Sequence, residues 1–465
     1  MKHGSRMAGL VLTLLTISAL AQAADRPNIV FILVDDTGWN ALDIPADPEI
    51  PGSGSSYYQT PNTSKLALSG VRFSMAYSPA PTCGPSRTSI QYGLTPSSVG
   101  EFAENEPSNL PPAKDAMISR LKAAFPEYRA AHFGKWHQRT RTPEDIGYDE
   151  SDGQTMNQEG NKCPPGDPKQ TFSLARKTNE FIARQVEEEH PFFVQVSFYA
   201  NHLRYMALPE TIKRYEARKG KATRYQNSPL WAAMNENLDT AVGSIIETVE
   251  KLGVRESTYF IYTADNGFEG KKDMWKPVEH RTFHKAHPLL SHKYMISEGG
   301  LRVPFIVSGP GIPANVSSRV PVVGWDIMPT VLDMAGAANQ VPNHVEGGSL
   351  LSLCRSGGTG TVERRDPFMV FRYTKRQGNL DIAIVQDGYK FLREIRSGKE
   401  HLWSLWDDLG EQRNLISTQP EKAAQLRHNL DGYFKRLKWD QKEHLDWKPP
   451  KRSGNVKRKV TSENE

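Results

Sequence analysis

Acidic and amide side chains follow directly after two apolar stretches of the chain, where they could bind a metal ion. Asp35 and Asp36 follow one stretch, and Asp265 and Asn266 follow another. Either pair alone is typical of a turn or a helix cap. Because ligands of open α/β sheets bind at the carboxyl ends of strands, the two pairs together predict a single site. Three carboxylates and one amide oxygen favour a hard divalent cation, Ca²⁺ or Mg²⁺.

The apolar stretches predict the elements that must position these residues. Four of them are continuous and typical of buried central strands: Asn28–Val34, 191–198, Thr258–Ala264 and 303–308. Helical patterns lie between them, at 62–69, 113–124, 172–189, 229–252 and 325–335. This alternation predicts an α/β domain with a mostly parallel sheet. After the Gly-rich segment 356–366, short strands and a final helix over 421–437 predict a smaller α+β subdomain.

The most specific motif of the chain is Cys83-Gly84-Pro85-Ser86-Arg87. Cys-x-Pro-Ser-Arg is the recognition sequence for oxidation of cysteine to Cα-formylglycine, and with it the chain resembles the type I sulfatases of the alkaline phosphatase superfamily. The resemblance covers nearly the whole mature chain. Its further motifs are Pro27-Asn28-Ile29-Val30, Asp35-Asp36, Gly134-Lys135-Trp136-His137, Asp265-Asn266-Gly267, Lys293 with 298–304, 402–405 with Asp407-Asp408, and Arg413-Asn414-Leu415.

This resemblance implies the fold and its division. The expected fold is an alkaline phosphatase-like α/β sandwich, with a large, mostly parallel central sheet flanked by helices. A smaller C-terminal α+β subdomain with a short antiparallel sheet follows. We expect a signal peptide over 1–23, the catalytic domain over 24–355, the C-terminal subdomain over 366–445 and a basic, disordered tail over 446–465.

The resemblance also implies the nucleophile and the metal site. Cys83 would be converted by a formylglycine-generating or sulfatase-maturing enzyme, and its aldehyde would hydrate to a gem-diol. One gem-diol oxygen would attack sulfur, and the second would re-form the aldehyde and expel sulfate. Residue 83 would share the cation, Ca²⁺ or Mg²⁺, with Asp35, Asp36, Asp265 and Asn266.

Five further catalytic roles follow from the same resemblance. Arg87 would hold the gem-diol and the carboxylates beside the metal. Lys135 and Lys293 would neutralise sulfate oxygens, where charge builds in the transition state. His137 would act as the base that collapses the gem-diol, and His202 would protonate the leaving oxygen, aided by Lys293.

The substrate is expected to contact the parts of the chain between these motifs. A basic, His-rich loop lies between Asn266 and Lys293, where cations suit a substrate that carries several sulfates or carboxylates. The predicted substrate-binding residues, from this loop and from segments beside the motifs, are Trp39, Arg204, Trp275, His280, Arg281, His284 and His292. We expect a sulfated oligosaccharide or polysaccharide such as the algal galactan carrageenan. Glycosaminoglycans, fucans and ulvan remain open.

The N-terminal segment predicts the compartment, and the charges at both ends of the chain bear on its partners. Lys2 and Arg6 precede an apolar run and an Ala21-Gln22-Ala23 cleavage site, which predicts a bacterial signal peptide and a periplasmic or secreted protein without a membrane span. Of the formal net charge of +5, the first 23 residues carry +2 and the last 18 carry +4. The remaining body has a charge of −1, so nucleic acid is a poor partner.

Three cysteines in 465 residues exclude a disulfide scaffold. If Cys83 is converted, Cys163 and Cys354 remain as a pair that could form a disulfide, and the sequence leaves their proximity open. Two alternative functions also stay open. One is a phosphodiesterase or phosphonate monoester hydrolase of the same superfamily, and the other is a non-catalytic relative that binds sulfated glycans.

Overall fold

The computed structural model describes residues 26–101, 106–270, 281, 285–374 and 380–439. The predicted signal peptide and basic tail lie outside the described residues. The strands are β1 (Asn28–Val34), β2 (Val71–Phe73), β3 (Ala76–Tyr77), β4 (Arg129–Gly134), β5 (Glu150–Ser151), β6 (Phe192–Ser197), β7 (Thr258–Ala264), β8 (Phe305–Ser308), β9 (Val316–Ser318), β10 (Val322–Val323), β11 (Met369–Thr374), β12 (Leu380–Gln386), β13 (Tyr389–Glu394) and β14 (Glu400–Ser404). The α-helices are α1 (Pro61–Leu68), α2 (Cys83–Tyr92), α3 (Met117–Ala124), α4 (Thr171–Glu187), α5 (Pro209–Ala217), α6 (Pro229–Lys251), α7 (Glu298–Leu301), α8 (Ile327–Met334), α9 (Leu351–Arg355) and α10 (Pro420–Arg436).

A central sheet of eight strands organises the larger part of the molecule, in the order β5-β4-β6-β1-β7-β8-β2-β9. Among these described strands, β8 alone runs antiparallel to its neighbours, β7 and β2. The prediction of a mostly parallel sheet flanked by helices is confirmed.

Helices cover both faces of this sheet, and β1 shows why its sequence is apolar throughout. Val30, Ile32 and Val34 pack into the core on one face, which contains residues of α1, α4 and α6. Ile29, Phe31 and Leu33 pack into the core on the other face, with residues of α2, α3 and α8. A strand buried on both faces needs apolar side chains at every position, not only at alternate ones.

Strand β4 was missing from the four central strands predicted from the sequence. Its sequence, Arg-Ala-Ala-His-Phe-Gly, is poor in β-branched residues, so it carries little intrinsic strand signal. It becomes a strand through tertiary context, because it pairs in parallel with β6 on one side and with β5 on the other. Lys135, one of the predicted catalytic residues, follows it directly.

The C-terminal sheet is antiparallel, in the order β11-β12-β13-β14, as predicted. Alternate residues of β12 face opposite sides. Ala383 and Val385 pack against the catalytic part, in a cluster that includes Trp325. Ile382 and Ile384 pack against α10. The sheet is therefore sandwiched between α10 and the larger α/β part, while the domain limits given above stay predictions.

All three cysteines are free, so the open possibility of a Cys163–Cys354 disulfide is not realised in this structure. Cys354 lies in the core under the central sheet. Cys163 is half-buried, with its Sγ 3.9 Å from the Met206 sulfur. Among the described residues, none of the helices is long and apolar enough to cross a bilayer.

Candidate active site

Four neighbouring strands end at one edge of the central sheet and deliver the predicted catalytic residues there. In the order β4-β6-β1-β7 the strands are parallel, so their carboxyl ends meet at the same edge. Lys135 follows β4, Asp35 follows β1, and Asp265 follows β7. His202 lies a few residues beyond the end of β6. The strand order therefore brings together residues that are up to 230 positions apart.

Backbone hydrogen bonds fix the two acidic turns. The Asp35 amide donates to the Ala200 carbonyl at 3.0 Å, and the Asn201 amide donates to the Asp35 carbonyl at 2.7 Å. Asp36 has a φ of +48°, an uncommon conformation for a residue other than glycine. Its amide donates to Asp265 Oδ1 at 3.2 Å. The strained turn thus aims Asp36 toward the residues that follow β7.

These turns create a buried, oxygen-rich cluster around Cys83. One carboxylate oxygen each from Asp35, Asp36 and Asp265 lies with the Cys83 sulfur in a group whose atoms are all within 4.8 Å of one another. Two further oxygens, Asp36 Oδ2 and Asn266 Oδ1, are buried without a hydrogen-bond partner among the described residues. Buried polar atoms are rarely left unpaired, and hard cations prefer such oxygens. The residues therefore fit a divalent cation.

Three buried cations compensate the three carboxylates. The Lys135 ammonium is 2.5 Å from Asp35 Oδ2, and the Lys293 ammonium is 2.5 Å from Asp36 Oδ1. The Arg87 guanidinium pairs with Asp265 at 2.8 Å. Each group is 2% exposed or less, so these pairs are shielded from water.

The pKa values of these groups reflect the ion pairs. Burial opposes the ionisation of Asp35, but Lys135, His202 and Arg87 together outweigh it and leave the pKa of Asp35 below its ordinary value. Burial likewise opposes the charge of Asp36, and Lys293 with His202 holds the pKa of Asp36 low. For Lys293, burial is outweighed by Asp36 together with Cys83, Tyr294 and Asp35, so the pKa of the ammonium lies well above its ordinary value. These shifts favour the charged forms of Asp35, Asp36 and Lys293.

Cys83 stands at the first position of α2, inside this cluster. Its sulfur is 3.4 Å from Asp35 Oδ1 and accepts a hydrogen bond from the Lys293 ammonium at 3.2 Å. Burial, together with the carboxylates of Asp265 and Asp35, raises the pKa of the thiol well above its ordinary value. Because thiolates rather than thiols are nucleophiles, the unmodified side chain is poorly suited to attack an ester.

Two histidines accompany the cluster, both with lowered pKa values. Burial and the neighbouring charge of Lys135 lower the pKa of His137 well below its ordinary value, and its Nδ1 has no hydrogen-bond partner among the described residues. His202 is less enclosed, with 17% of its side chain exposed. Burial lowers the pKa of His202 although Asp36, 3.9 Å from its Nε2, opposes the shift. Both rings are neutral at pH 7 and able to accept a proton.

Three of the predicted substrate contacts are buried and engaged by other parts of the structure. Trp39 is 1% exposed, and its indole N–H donates to the Ser74 carbonyl. Arg281 is buried in an ion pair of 2.7 Å with Asp381 of the C-terminal sheet. His292 is fully buried beside the Lys293 carbonyl. These three side chains therefore support the structure around the site and do not line an open surface.

Of the four remaining predicted substrate contacts, one is exposed and three lie outside the described residues. Arg204 is exposed, two residues after His202. Trp275, His280 and His284 lie outside the described residues.

Sequence reasoning missed one buried cation near the cluster, Lys169. Its side chain is 1% exposed, and its ammonium donates to Asn161 Oδ1 at 2.8 Å. Burial lowers the pKa of Lys169 to about 8, against the opposing field of Asp35. In the sequence it follows Gly-Asp-Pro, where a lysine is usually solvated. The local pattern therefore gave no indication that Lys169 is buried near the cluster.

Comparison with known proteins places this geometry in a family. The family model described as Sulfatase matches residues 27–337. The chain is 25% identical over 361 residues to an "Ulvan-active sulfatase" of Formosa agariphila, in a match that covers 71% of this chain and 65% of that protein, slightly less than two thirds of its length. It is 27% identical to the "N-acetylgalactosamine-6-sulfatase" of Mus musculus, covering 87% of this chain and 77% of the relative.

Among solved structures, the crystal structure of Ps i-CgsB in complex with k-i-k-neocarrahexaose superposes with a TM-score of 0.72. The alignment covers 91% of this chain and 95% of that chain, at 22% sequence identity, and so supports the fold. Because the family match covers more than half of the sequence, the chain belongs to the sulfatase family, as a sulfuric ester hydrolase of the type I, alkaline phosphatase-like class.

Proposed function

We propose that the protein hydrolyses sulfate esters of a sulfated carbohydrate, using a formylglycine made from Cys83 and a bound divalent cation. The observation that carries the proposal is the position of the Cys83 sulfur, which lies within one cluster with oxygens of Asp35, Asp36 and Asp265 and 3.2 Å from the Lys293 ammonium. A thiol with a raised pKa is a poor nucleophile there, so this position favours an oxidised side chain over the cysteine itself.

The residues of the cluster suit both a divalent cation and a formylglycine at position 83. Asp35, Asp36, Asp265 and Asn266 would hold Ca²⁺ or Mg²⁺, because they offer oxygens and two of these have no other partner among the described residues. The hydrated aldehyde would supply the oxygen nucleophile, and the cation would supply positive charge that favours its ionised form. A formylglycine-generating or sulfatase-maturing enzyme would be the partner that oxidises Cys83.

The buried cations would bind the sulfate group. A sulfate oxygen seated beside residue 83 would be within reach of the Lys293 ammonium, which already lies 3.2 Å from that side chain. Lys135, which follows β4, would neutralise a second oxygen. Arg87 would position the site rather than the substrate, because its guanidinium is engaged by Asp265 and the Lys135 carbonyl. Fixed charges in a dry site act on developing charge without reorganisation.

The two histidines would move protons. His202, whose ring nitrogen lies within 4.8 Å of both the Cys83 sulfur and an Asp35 oxygen, would serve the leaving sugar oxygen. His137 would take the proton that releases sulfate from residue 83. The lowered pKa of His137 favours a neutral ring that accepts this proton. His202 would have to carry a proton to donate it to the leaving oxygen. The Asp36 and Asp35 carboxylates favour that protonated form, and the partial exposure of His202 suits a group that meets the substrate.

The proposed substrate is a sulfated polysaccharide or an oligosaccharide derived from it. One relative is named for activity on ulvan, and one structural neighbour was solved with a carrageenan hexasaccharide. We take a carrageenan-type galactan as the first substrate to test and ulvan as the second. Export to the periplasm or medium, where such polymers occur, is part of this proposal and depends on residues 1–23.

The test is sulfate release by protein made in a host that oxidises the cysteine motif. Sulfate would be measured by ion chromatography with carrageenan, ulvan and glycosaminoglycan oligosaccharides. We expect release from at least one of these, an aldehyde at position 83 by peptide mapping, and no release by Cys83→Ala. The matched control, Cys163→Ala, should keep full activity because Cys163 is half-buried and outside the cluster. Full activity with an intact thiol at position 83 would refute the proposal.

A second measurement tests the alternative chemistry of the same superfamily. Matched aryl sulfate, aryl phosphodiester and aryl phosphonate esters would be compared by kcat/KM. Faster turnover of the phosphorus esters would favour a phosphodiesterase or phosphonate monoester hydrolase.

A further inference from the structure

A cavity of about 490 Å³, lined mainly by polar and charged residue types, opens beside the loop that follows Asp35 and Asp36. Its size falls within the range of about 300–1,000 Å³ that is typical of small-molecule sites. None of its described lining residues is acidic, and two are basic, Arg224 and Lys285. The other lining residues are Asn40, Gly52, Gly54, Ser56, Thr223, Tyr225, Gln226 and His287.

Buried hydrogen bonds hold the walls of this cavity in place. Asn40 is 2% exposed, and its amide donates to the Gly52 carbonyl at 3.1 Å and to the His287 carbonyl at 2.9 Å. Gln226 is 5% exposed and accepts a hydrogen bond from the Ser55 hydroxyl at 2.7 Å. The cavity is thus built by preorganised groups from three separate chain segments, as ligand sites are.

Aromatic rings form one part of the cavity wall. The Tyr225 and His287 rings stack with centroids 4.4 Å apart and planes only 9° from parallel. The guanidinium carbon of Arg224 lies 5.6 Å from the Tyr225 ring centre. A flat aromatic surface offers dispersion contacts to the C–H face of a sugar ring, and the adjacent guanidinium can bind a sulfate or carboxylate in a bidentate manner.

Lys285 supplies the second cation and links the cavity to the catalytic cluster. Its ammonium is 3.2 Å from the Tyr205 hydroxyl and lies over the Tyr205 and Trp231 rings, at 4.9 and 5.5 Å from their centres. Burial lowers the pKa of Lys285 to about 8, while Glu269 and Asp36 oppose the shift. Lys285 is therefore still mostly charged at pH 7, and it is held by rings whose faces attract cations.

The chain connections place the cavity close to the reacting centre. Asn40, in the cavity wall, is four residues from Asp36, so their Cα atoms are at most about 14 Å apart. Tyr205, which holds Lys285, is three residues from His202. A sugar whose sulfate ester lies at residue 83 would therefore have its neighbouring sugar residues within reach of this cavity.

We infer that this cavity is a subsite for a further, anionic residue of the substrate glycan, with Tyr225 and His287 against the sugar ring and Arg224 and Lys285 on its sulfate or carboxylate. The inference rests on the proposed function and extends it from a sulfated sugar to a chain that carries more than one anionic residue. It makes Tyr225, Arg224 and Lys285 specificity-determining residues.

The test compares short and long ligands. Titration calorimetry in Ca²⁺-containing buffer would use the full chain with Cys83→Ala, which cannot turn ligands over. The probes are sulfated hexasaccharides and sulfated monosaccharides from carrageenan, ulvan and chondroitin sulfate. Tyr225→Ala and Arg224→Ala should each weaken hexasaccharide binding about tenfold relative to monosaccharide binding, because each removes one contact of the order of an aromatic or charge-assisted pair. Tyr225→Phe should restore the affinity.

The matched control is Lys219→Ala, which removes an exposed cation of the neighbouring segment without touching the cavity. It should leave the affinity for both probes unchanged. Equal hexasaccharide affinity in Tyr225→Ala and Lys219→Ala, or no hexasaccharide binding by the parent, would overturn the inference. Sulfate release by the wild-type enzyme is measured separately, so failure of the subsite and failure of the proposed function are distinguishable.

Discussion

The change Lys390→Met tests how the C-terminal sheet supports the active site. Lys390, in β13, is fully buried, and its ammonium lies 3.0 Å from Glu298 and 2.8 Å from Glu411. Glu298 begins α7, five residues after Lys293, and its amide donates to Glu411 at 2.8 Å. Arg302 also pairs with Glu298, whereas Lys390 is the cation that pairs with Glu411 among the described residues.

The expected loss of unfolding free energy follows from the burial of this ion pair. Removing one partner of a buried ion pair costs about 3–5 kcal/mol, because the remaining charge is left without compensation. Methionine preserves most of the volume of the lysine stem. The loss of stability therefore comes from the missing charge and not from a cavity. Both carboxyl groups lose a cation, so their pKa values should rise. The destabilisation should therefore be smaller at pH 5, where protonation relieves the buried charge, than at pH 8.

The matched control is Lys422→Met, which removes a surface ion pair with Asp387, whose side chain is 63% exposed. Exposed pairs contribute about 0–1 kcal/mol. Urea denaturation at pH 5 and pH 8 would give the free energy of unfolding for both variants, and kcat/KM for sulfate release would be measured below the transition. We expect a several-fold lower kcat/KM for Lys390→Met, because α7 and the preceding loop position Lys293. Equal stability of the two variants at pH 8 would refute the reasoning.

Three further changes test the site. Glu101 is buried, and burial raises its pKa from 4.5 to about 8, so the folded state binds a proton that the unfolded state has lost. Its contribution to the free energy of unfolding is present below pH 4.5 and falls by about 1.4 kcal/mol per pH unit up to about pH 8. Glu101→Gln should remove this fall, measured by urea titrations at several pH values. Parallel pH curves for the two proteins would contradict the prediction. Asp265→Asn should weaken Ca²⁺ binding at least tenfold by calorimetry, and unchanged affinity would exclude Asp265 as a ligand. His137→Ala should lower kcat by about 10²–10⁴ and accumulate a sulfated residue 83 in intact mass spectra; normal kcat would assign the base elsewhere.

The candidate metal-binding and catalytic residues could be nominated from the sequence because their signals are local. A buried strand that ends in two acidic residues needs only a short window of sequence to be recognised, and the cysteine motif is a contiguous pattern. The fold class was predictable for a similar reason, since strands buried on both faces are apolar throughout. These local patterns suffice to nominate Asp35, Asp265 and Cys83, and the structure brings the three within one cluster.

Which candidate residues line an open surface was not predictable in the same way. Exposure depends on what packs against a side chain, and that partner can be far away in the sequence. Arg281 was predicted as a substrate contact from its position in a basic loop. In the folded chain its guanidinium pairs with Asp381 of the C-terminal sheet, 100 residues later. Conversely, Tyr225 lies outside every motif and meets His287 only in the folded chain.

The sequence by itself determined which residue types could do the chemistry: oxygen ligands after two strands, a cysteine in an oxidation motif, and the lysines and histidines near the other motifs. Tertiary structure alone decided their arrangement, because the order of the strands in the sheet sets which chain ends meet. It also decided which cations pair with which carboxylates and where a cavity remains open, since both depend on contacts between segments separated by many tens of residues.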